Sequence, residues 1–225
     1  MIIFLLINFL LKNSSNLHYM FIVKNKNFYH IQKFNCPYKW KVGDKIFIGF
    51  ENNHYANNFN LARFNYKIKT GEVVQILQSF QQIKSLINKA SISRSDLNKI
   101  EELSGILNNF AQDNLKIHRE NIFEEIRLKF FPNLPSRKRG IWLIPFNKES
   151  LKYWLGRIPK GKIFHIRATG KVHNSSENFL LIDHYISLNF IRQVAFSYWA
   201  GVNTESLNDE IIFEGFIEVI GEISS

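Results

Sequence analysis

The chain has 225 residues, 45% of them hydrophobic and 15% aromatic, enough to bury a full core as one domain, which excludes a disordered chain. Its single cysteine, Cys36, excludes an intramolecular disulfide framework and a cysteine-clustered zinc site, and its seven histidines show neither HExxH nor paired spacing, so no metal site is expected. The formal net charge of +10 favours an anionic partner such as nucleic acid, a phosphate-rich ligand or an acidic surface, although the Lys- and Asn-rich composition of an AT-rich genome gives the same balance without one.

The opening stretch, MIIFLLINFLLK, contains an apolar run shorter than the about twenty residues that span a bilayer. No charge precedes it and KNSSNLHYM offers no small-residue cleavage pattern, so neither stable membrane insertion nor a signal peptide is expected. Met20 as the natural start makes residues 1–19 an apolar extension and 20–225 a single cytoplasmic domain. A buried N-terminal strand or helix is the alternative, and the run leaves secretion open.

Phe21–Val23 and Phe28–Ile31 read as short strands, and KWKVGDKIFIGFENN as a Gly-Asp turn between apolar segments. From about residue 73 to 131 the period becomes helical, with Leu97, Ile100, Leu103, Ile106, Leu107 and Phe110 recurring at three and four residues. Ser95 or Asp96 suits the N-cap; Ile122, Phe123, Ile126 and Phe130 carry the pattern on, and Pro132 ends it. Gly140–Phe146 follows as a strand, then a helix from near Asn147 carrying Leu151, Tyr153, Trp154 and Leu155. Ile163–Ala168 and Phe179–Ile182 read as strands, and Ser187 caps a helix through Tyr198 with Gly201 as its C′ residue. Glu210–Ile223 reads as two strands broken at Gly215. The sequence predicts one α+β domain.

Three segments stand out by their order along the chain: FYHI (Phe28–Ile31), RGIWLI (Arg139–Ile144) and EIIFE (Glu210–Glu214). The strand period of two puts Glu210, Ile212 and Glu214 on one face, so Glu210, Glu214 and nearby Glu205 all stay open as a functional carboxylate. Structural roles compete at each position. His30 sits between Tyr29 and Ile31, and Trp142 between Ile141 and Leu143, as core residues do. The basic run 137–139 reads as a solvated loop, and Tyr198 and Trp199 as helix-end packing.

The tract ENIFEEIRLKFFPNLPSRKRGIWLI, followed by ESLKYW, a central strand, and FSYWAG before EIIF, resembles an uncharacterised bacterial domain family related to the ADP-ribosyltransferases. Its marks are an opening strand ending in Tyr-His, an FPxxPSR segment and a later YWxG. Here they are Tyr29-His30, Phe131–Arg137 and Tyr198–Gly201, and the likeness spans roughly residues 27–223. The chain is more distantly similar to the poly-ADP-ribose polymerase and diphtheria-toxin branch, whose cleft is summarised as His, Tyr, Glu. That similarity suggests His30, Trp142 in place of the Tyr, and Glu210; the tryptophan keeps a stacking surface and loses the phenol.

The resemblance implies split mixed β-sheets with flanking helices and an inserted helical segment. It also implies an NAD-dependent enzyme that transfers ADP-ribose to a macromolecule, DNA or RNA among the candidates, in a toxin or phage-defence setting with an antitoxin or immunity partner. Glu210 would stabilise the oxocarbenium-like centre formed as nicotinamide leaves ribose, and His30 would hold ribose hydroxyls. Trp142 would stack on the cationic nicotinamide, Arg137, Lys138 or Arg139 would pair with the diphosphate, and Ser136 would touch ribose or phosphate. Two other readings stay open: an NAD glycohydrolase, and a catalytically inactive basic module of the same fold that binds nucleic acid or protein. The transferase reading requires His30, Trp142 and Glu210 to converge on one cleft from strands lying side by side.

Overall fold

A computed structural model describes residues 21–34, 36–60, 65–69, 71–158, 161–180, 187–202 and 207–223, so the expected extension 1–19, Glu205 and the end of the expected 179–182 strand lie outside the described residues. In chain order the elements are β1 (Phe21–Lys33), β2 (Lys45–Ile48), α1 (His54–Asn60), β3 (Asn65–Lys67), β4 (Val73–Gln75), α2 (Ile76–Ile87), α3 (Arg94–Phe130), β5 (Ile141–Pro145), α4 (Lys148–Arg157), β6 (Gly161–Ser176), α5 (Leu188–Trp199) and β7 (Asp209–Ile223). The α+β class is as expected. Among the described residues no helix is long and apolar enough to cross a membrane.

The chain divides into two compact units, residues 57–119 and the remainder. The smaller unit holds the β3–β4 pair, α2 and α3 as far as Arg119, around buried Ile68, Val74 and Leu103. Here α3 begins one turn earlier than Ser95 or Asp96 would set it. Ser93 Oγ accepts from Asp96 N at 3.1 Å while Asp96 Oδ2 accepts from Ser93 N at 3.0 Å, so Ser93 is the cap and Asp96 its reciprocal partner.

The larger unit is built on strands whose pairings close on themselves, in the order β7, β5, β1, β6 and back to β7, with β2 added along β7. Every strand pairing among the described residues is antiparallel, which corrects the expected mixed sheet. β1 is one strand, not two short ones, because a bulge between Val23 and Lys26, with Asn25 at φ 51°, lets the pairing resume. β6 runs on past Ala168 to Ser176, and Phe179 and Leu180 lie in a 3₁₀ turn instead of a strand. β7 does not break at Gly215. Gly170 (φ 158°) and Gly215 (φ 143°) face each other across β6 and β7, and a Cβ on Gly215 would come within 2.5 Å of the Thr169 carbonyl. The missing side chains let the two backbones approach closely at this level, at φ values that side-chain-bearing residues rarely adopt.

Alternation along the strands then sorts the core. Phe28, Leu143, Phe164, Ile166, Ile211, Phe213 and Ile217 fill the inside of the ring. On the outside, Ile122, Phe123 and Ile126 of α3 and Ala195, Tyr198 and Trp199 of α5 pack on Ile212 and Trp142. Leu151, Trp154 and Leu155 of α4 cover Ile31, Ile144 and Ile163. The helix starts follow from local chemistry: Asn147 accepts from Ser150 N, Ser187 accepts from Phe190 N, and Gly201 after α5 is left-handed at φ 68°, as the sequence predicts.

Candidate functional site

The first residues of β7 enter beneath the helices. Glu210 pairs with Ser175 of β6 and shares the outer side of the strand with Ile212, so its carboxylate meets α5 and the segment 131–140. That segment starts where Pro132 cannot continue α3, and it is fastened along its length. Arg127 donates to the carbonyls of Pro132 (3.2 Å) and Leu134 (2.8 Å), Ser136 N donates to Glu214 Oε1 (2.9 Å), and Asn53 Nδ2 donates to the carbonyls of Arg137 (2.8 Å) and Gly140 (2.7 Å).

These fastenings deliver Arg137 into the interior, where it is 3% exposed. Its guanidinium forks onto Glu120, with Nε to Oε2 at 2.8 Å and Nη2 to Oε1 at 3.2 Å, and its Nη1 donates to Glu210 and, at 2.8 Å, to the Tyr198 hydroxyl. The Tyr198 hydroxyl in turn donates to Glu210, so the three groups form a closed circuit. Three rings surround the cation, with centroids 5.2 Å (Tyr198), 5.7 Å (Trp142) and 6.0 Å (Phe123) from Cζ. Burial opposes the Arg137 charge, and the Glu120 and Glu210 carboxylates outweigh it, raising its pKa well above the ordinary value. Burial, and after it the Glu210 carboxylate acting against Arg137, keeps the Tyr198 phenol protonated far into the alkaline range.

Of the residues singled out in the sequence, the structure brings together Arg137, Trp142 and Glu210, and sets Ser136 beside them. It does not bring His30 into the group. His30 pairs with Phe164 and alternates with Phe28, both of which fill the inside of the ring, whereas Glu210 is on the outside. Among the described residues its link to the group is through the backbone: His30 Nδ1–H donates to the Trp142 carbonyl at 2.9 Å, while its ring lies 4.5 Å from that of Trp40. Burial lowers its pKa to about 4, against the opposing pull of the Trp142 carbonyl, so it is a neutral core ring at physiological pH. The expected convergence of His30, Trp142 and Glu210 is therefore corrected: the strands are neighbours, but the side chains point to opposite sides of the sheet.

The other expected contacts also change character. Ser136 is fully buried and its Oγ donates to Glu124 at 3.0 Å. Arg137 is bound by carboxylates where a diphosphate was expected. Lys138 reaches Asn121 at 2.8 Å, and the half-exposed Arg139 lies 3.7 Å from Glu214. Glu214 is thus a fastener of the segment, and both it and Glu210 bind the segment from β7, Glu214 through Ser136 N and Glu210 through Arg137.

Sequence reasoning passed over Glu120 and His173. Glu120 and Glu124 sit four apart in α3, hence on one helical face, just before a Pro-containing segment with its own run of cations; that spacing was the available signal. His173, in the polar half of β6, donates through Nε2 to the Tyr198 carbonyl at 3.0 Å and packs against the Trp199 ring at 5.0 Å; burial depresses it to about 4. Nothing in GKVHNSS marked it as interior.

Comparison with the curated proteins finds no match. The family described as Protein of unknown function (DUF2441) matches residues 28–225, from the start of FYHI to the last residue of the sequence. The chain belongs to the DUF2441 family.

Proposed function

We propose that this chain is a basic nucleic-acid-binding module on an ADP-ribosyltransferase-like fold, without the transferase chemistry. The adjacency of β7, β5 and β1, which carry Glu210, Trp142 and His30 side by side, supports the fold likeness. One observation carries the functional reading: Glu210 is 5% exposed and its carboxylate is bonded to both Arg137 and Tyr198. A carboxylate that stabilises an oxocarbenium-like centre has to face the sugar. Turning Glu210 outward would strip a buried guanidinium of one of its two carboxylates, a loss of the kind that costs about 3–5 kcal/mol. The partner class follows from the net charge of +10.

Nicotinamide release from NAD by the full chain tests the first half. The expected result is no release above buffer. Release that disappears in Glu210→Gln would overturn the reading and restore the transferase one, which draws on the same strand adjacency. Retention of a mixed-sequence oligonucleotide, weakening steeply as salt rises, tests the second half.

A further inference from the structure

Between the sector of the ring covered by α3 and α5 and the sector covered by α4, the strands β2, β7 and β6 turn their outer side to solvent. Register lays out that surface. Phe47 is opposite Phe216 and Phe216 opposite Thr169; in the next row Lys45 is opposite Glu218 and Glu218 opposite Arg167. Phe47, Phe50 and Phe216 are 55%, 82% and 43% exposed, and the Phe47 and Phe50 rings lie 4.7 Å apart. Lys171, opposite Glu214, brings a further cation, and the Glu214 carboxylate is turned to Ser136 N and Arg139. Glu218 lies 3.4 Å from Arg167, in a pair open to water.

We propose that this face is a platform for single-stranded nucleic acid, with bases stacked on Phe47, Phe50 and Phe216 and phosphates held by Lys45, Arg167 and Lys171. The inference rests on the nucleic-acid reading above and adds the place and the strandedness. Two independent features choose the occupant. The exposed apolar groups are rings, whose faces a base can cover; stacking of this kind is tolerant of sequence and takes unstacked bases, which a duplex does not offer. The cations flank the rings on neighbouring rows, and the surplus positive charge of the chain complements a phosphate backbone. Neither feature depends on a 2′-hydroxyl, so ribo- and deoxyribo-oligomers are expected to bind alike.

Fluorescence anisotropy of the full chain with a labelled oligothymidylate decides it. Wild type is expected to bind, and Phe47→Leu with Phe216→Leu, which keeps apolar bulk and removes the ring faces, is expected to weaken binding at least about tenfold. Both side chains are solvent-exposed, so thermal melting of the variant should match wild type. Arg167→Gln and Lys171→Gln should each flatten the dependence of log affinity on log salt by roughly 0.7. Binding by wild type that survives the double phenylalanine change would overturn the platform and leave the general nucleic-acid reading standing. A blunt duplex that competes as well as the single strand would overturn the strandedness. No binding by wild type would overturn both readings.

Discussion

Arg137 stands between two carboxylates and under three rings, and its partners come from α3, α5 and β7. Removing the cation would leave Glu120 and Glu210 facing each other in the interior, so Arg137→Met should destabilise the chain by about 3–5 kcal/mol in chemical denaturation. A loss below about 1 kcal/mol would show that the circuit is not structural. The buried histidines give a pH dependence with a definite sign. His30 and His173 hold folded values of about 4 against an ordinary 6.5, so the unfolded chain takes up protons first. Stability is complete above pH 6.5 and is lost as pH falls towards 4, by at most about 3 kcal/mol per ring. His30→Asn keeps a donor where Nδ1 stands, His173→Gln keeps one where Nε2 stands, and neither titrates. Each should flatten the fall in denaturation midpoint between pH 6.5 and about 5; an unchanged slope in both would place the loss elsewhere. The strand period put Glu210, Ile212 and Glu214 on one side correctly, but it is silent on which side of a neighbouring strand that side continues. His30 is out of phase with Glu210 because phase passes from β1 through β5 to β7 by pairings far apart in sequence.

At the scale of elements, features written in a few adjacent residues were the legible ones. The caps at Asn147 and Ser187, the left-handed Gly201 and the stop of α3 at Pro132 all follow from local chemistry. The Ser93 cap was missed because Asp96 has the composition of a cap and here serves as its returning partner. Ser93→Ala should cost about 1 kcal/mol, read as a lower thermal midpoint, whereas Ser95→Ala should change little. Strand extents were hidden where polar residues line a covered strand, as in the second half of β6, and where Phe179-Leu180 has a strand-like composition yet turns. Continuity through Gly215 depends on Gly170 across the sheet, which no window on β7 contains. Gly215→Ala forces a Cβ against the Thr169 carbonyl and should lower stability by roughly 2 kcal/mol or more in denaturant melts.

Over the whole larger unit, the closed circuit of pairings means that no single strand of the ring can leave without opening two neighbours. Backbone amides of Phe164, Ile166, Phe213 and Ile217, all fully buried, should exchange only through global unfolding, while those of β2, held along β7 alone, should exchange faster. Equal rates in hydrogen-exchange measurements would show that the ring opens piecemeal. The facing glycines carry a consequence for suppressor genetics. A Cβ at Gly170 would meet the backbone of Glu214 and Gly215, and a Cβ at Gly215 the backbone of Thr169 and Gly170. The nearest obstacle at either position is main chain, with the Phe213 ring next at 3.0–3.1 Å, and the residue opposite is already the smallest there is. Trimming Phe213 would leave the main-chain clash in place, so survivors of a selection that begins from Gly170→Ala should be true revertants or carry stabilising substitutions distant from this pair.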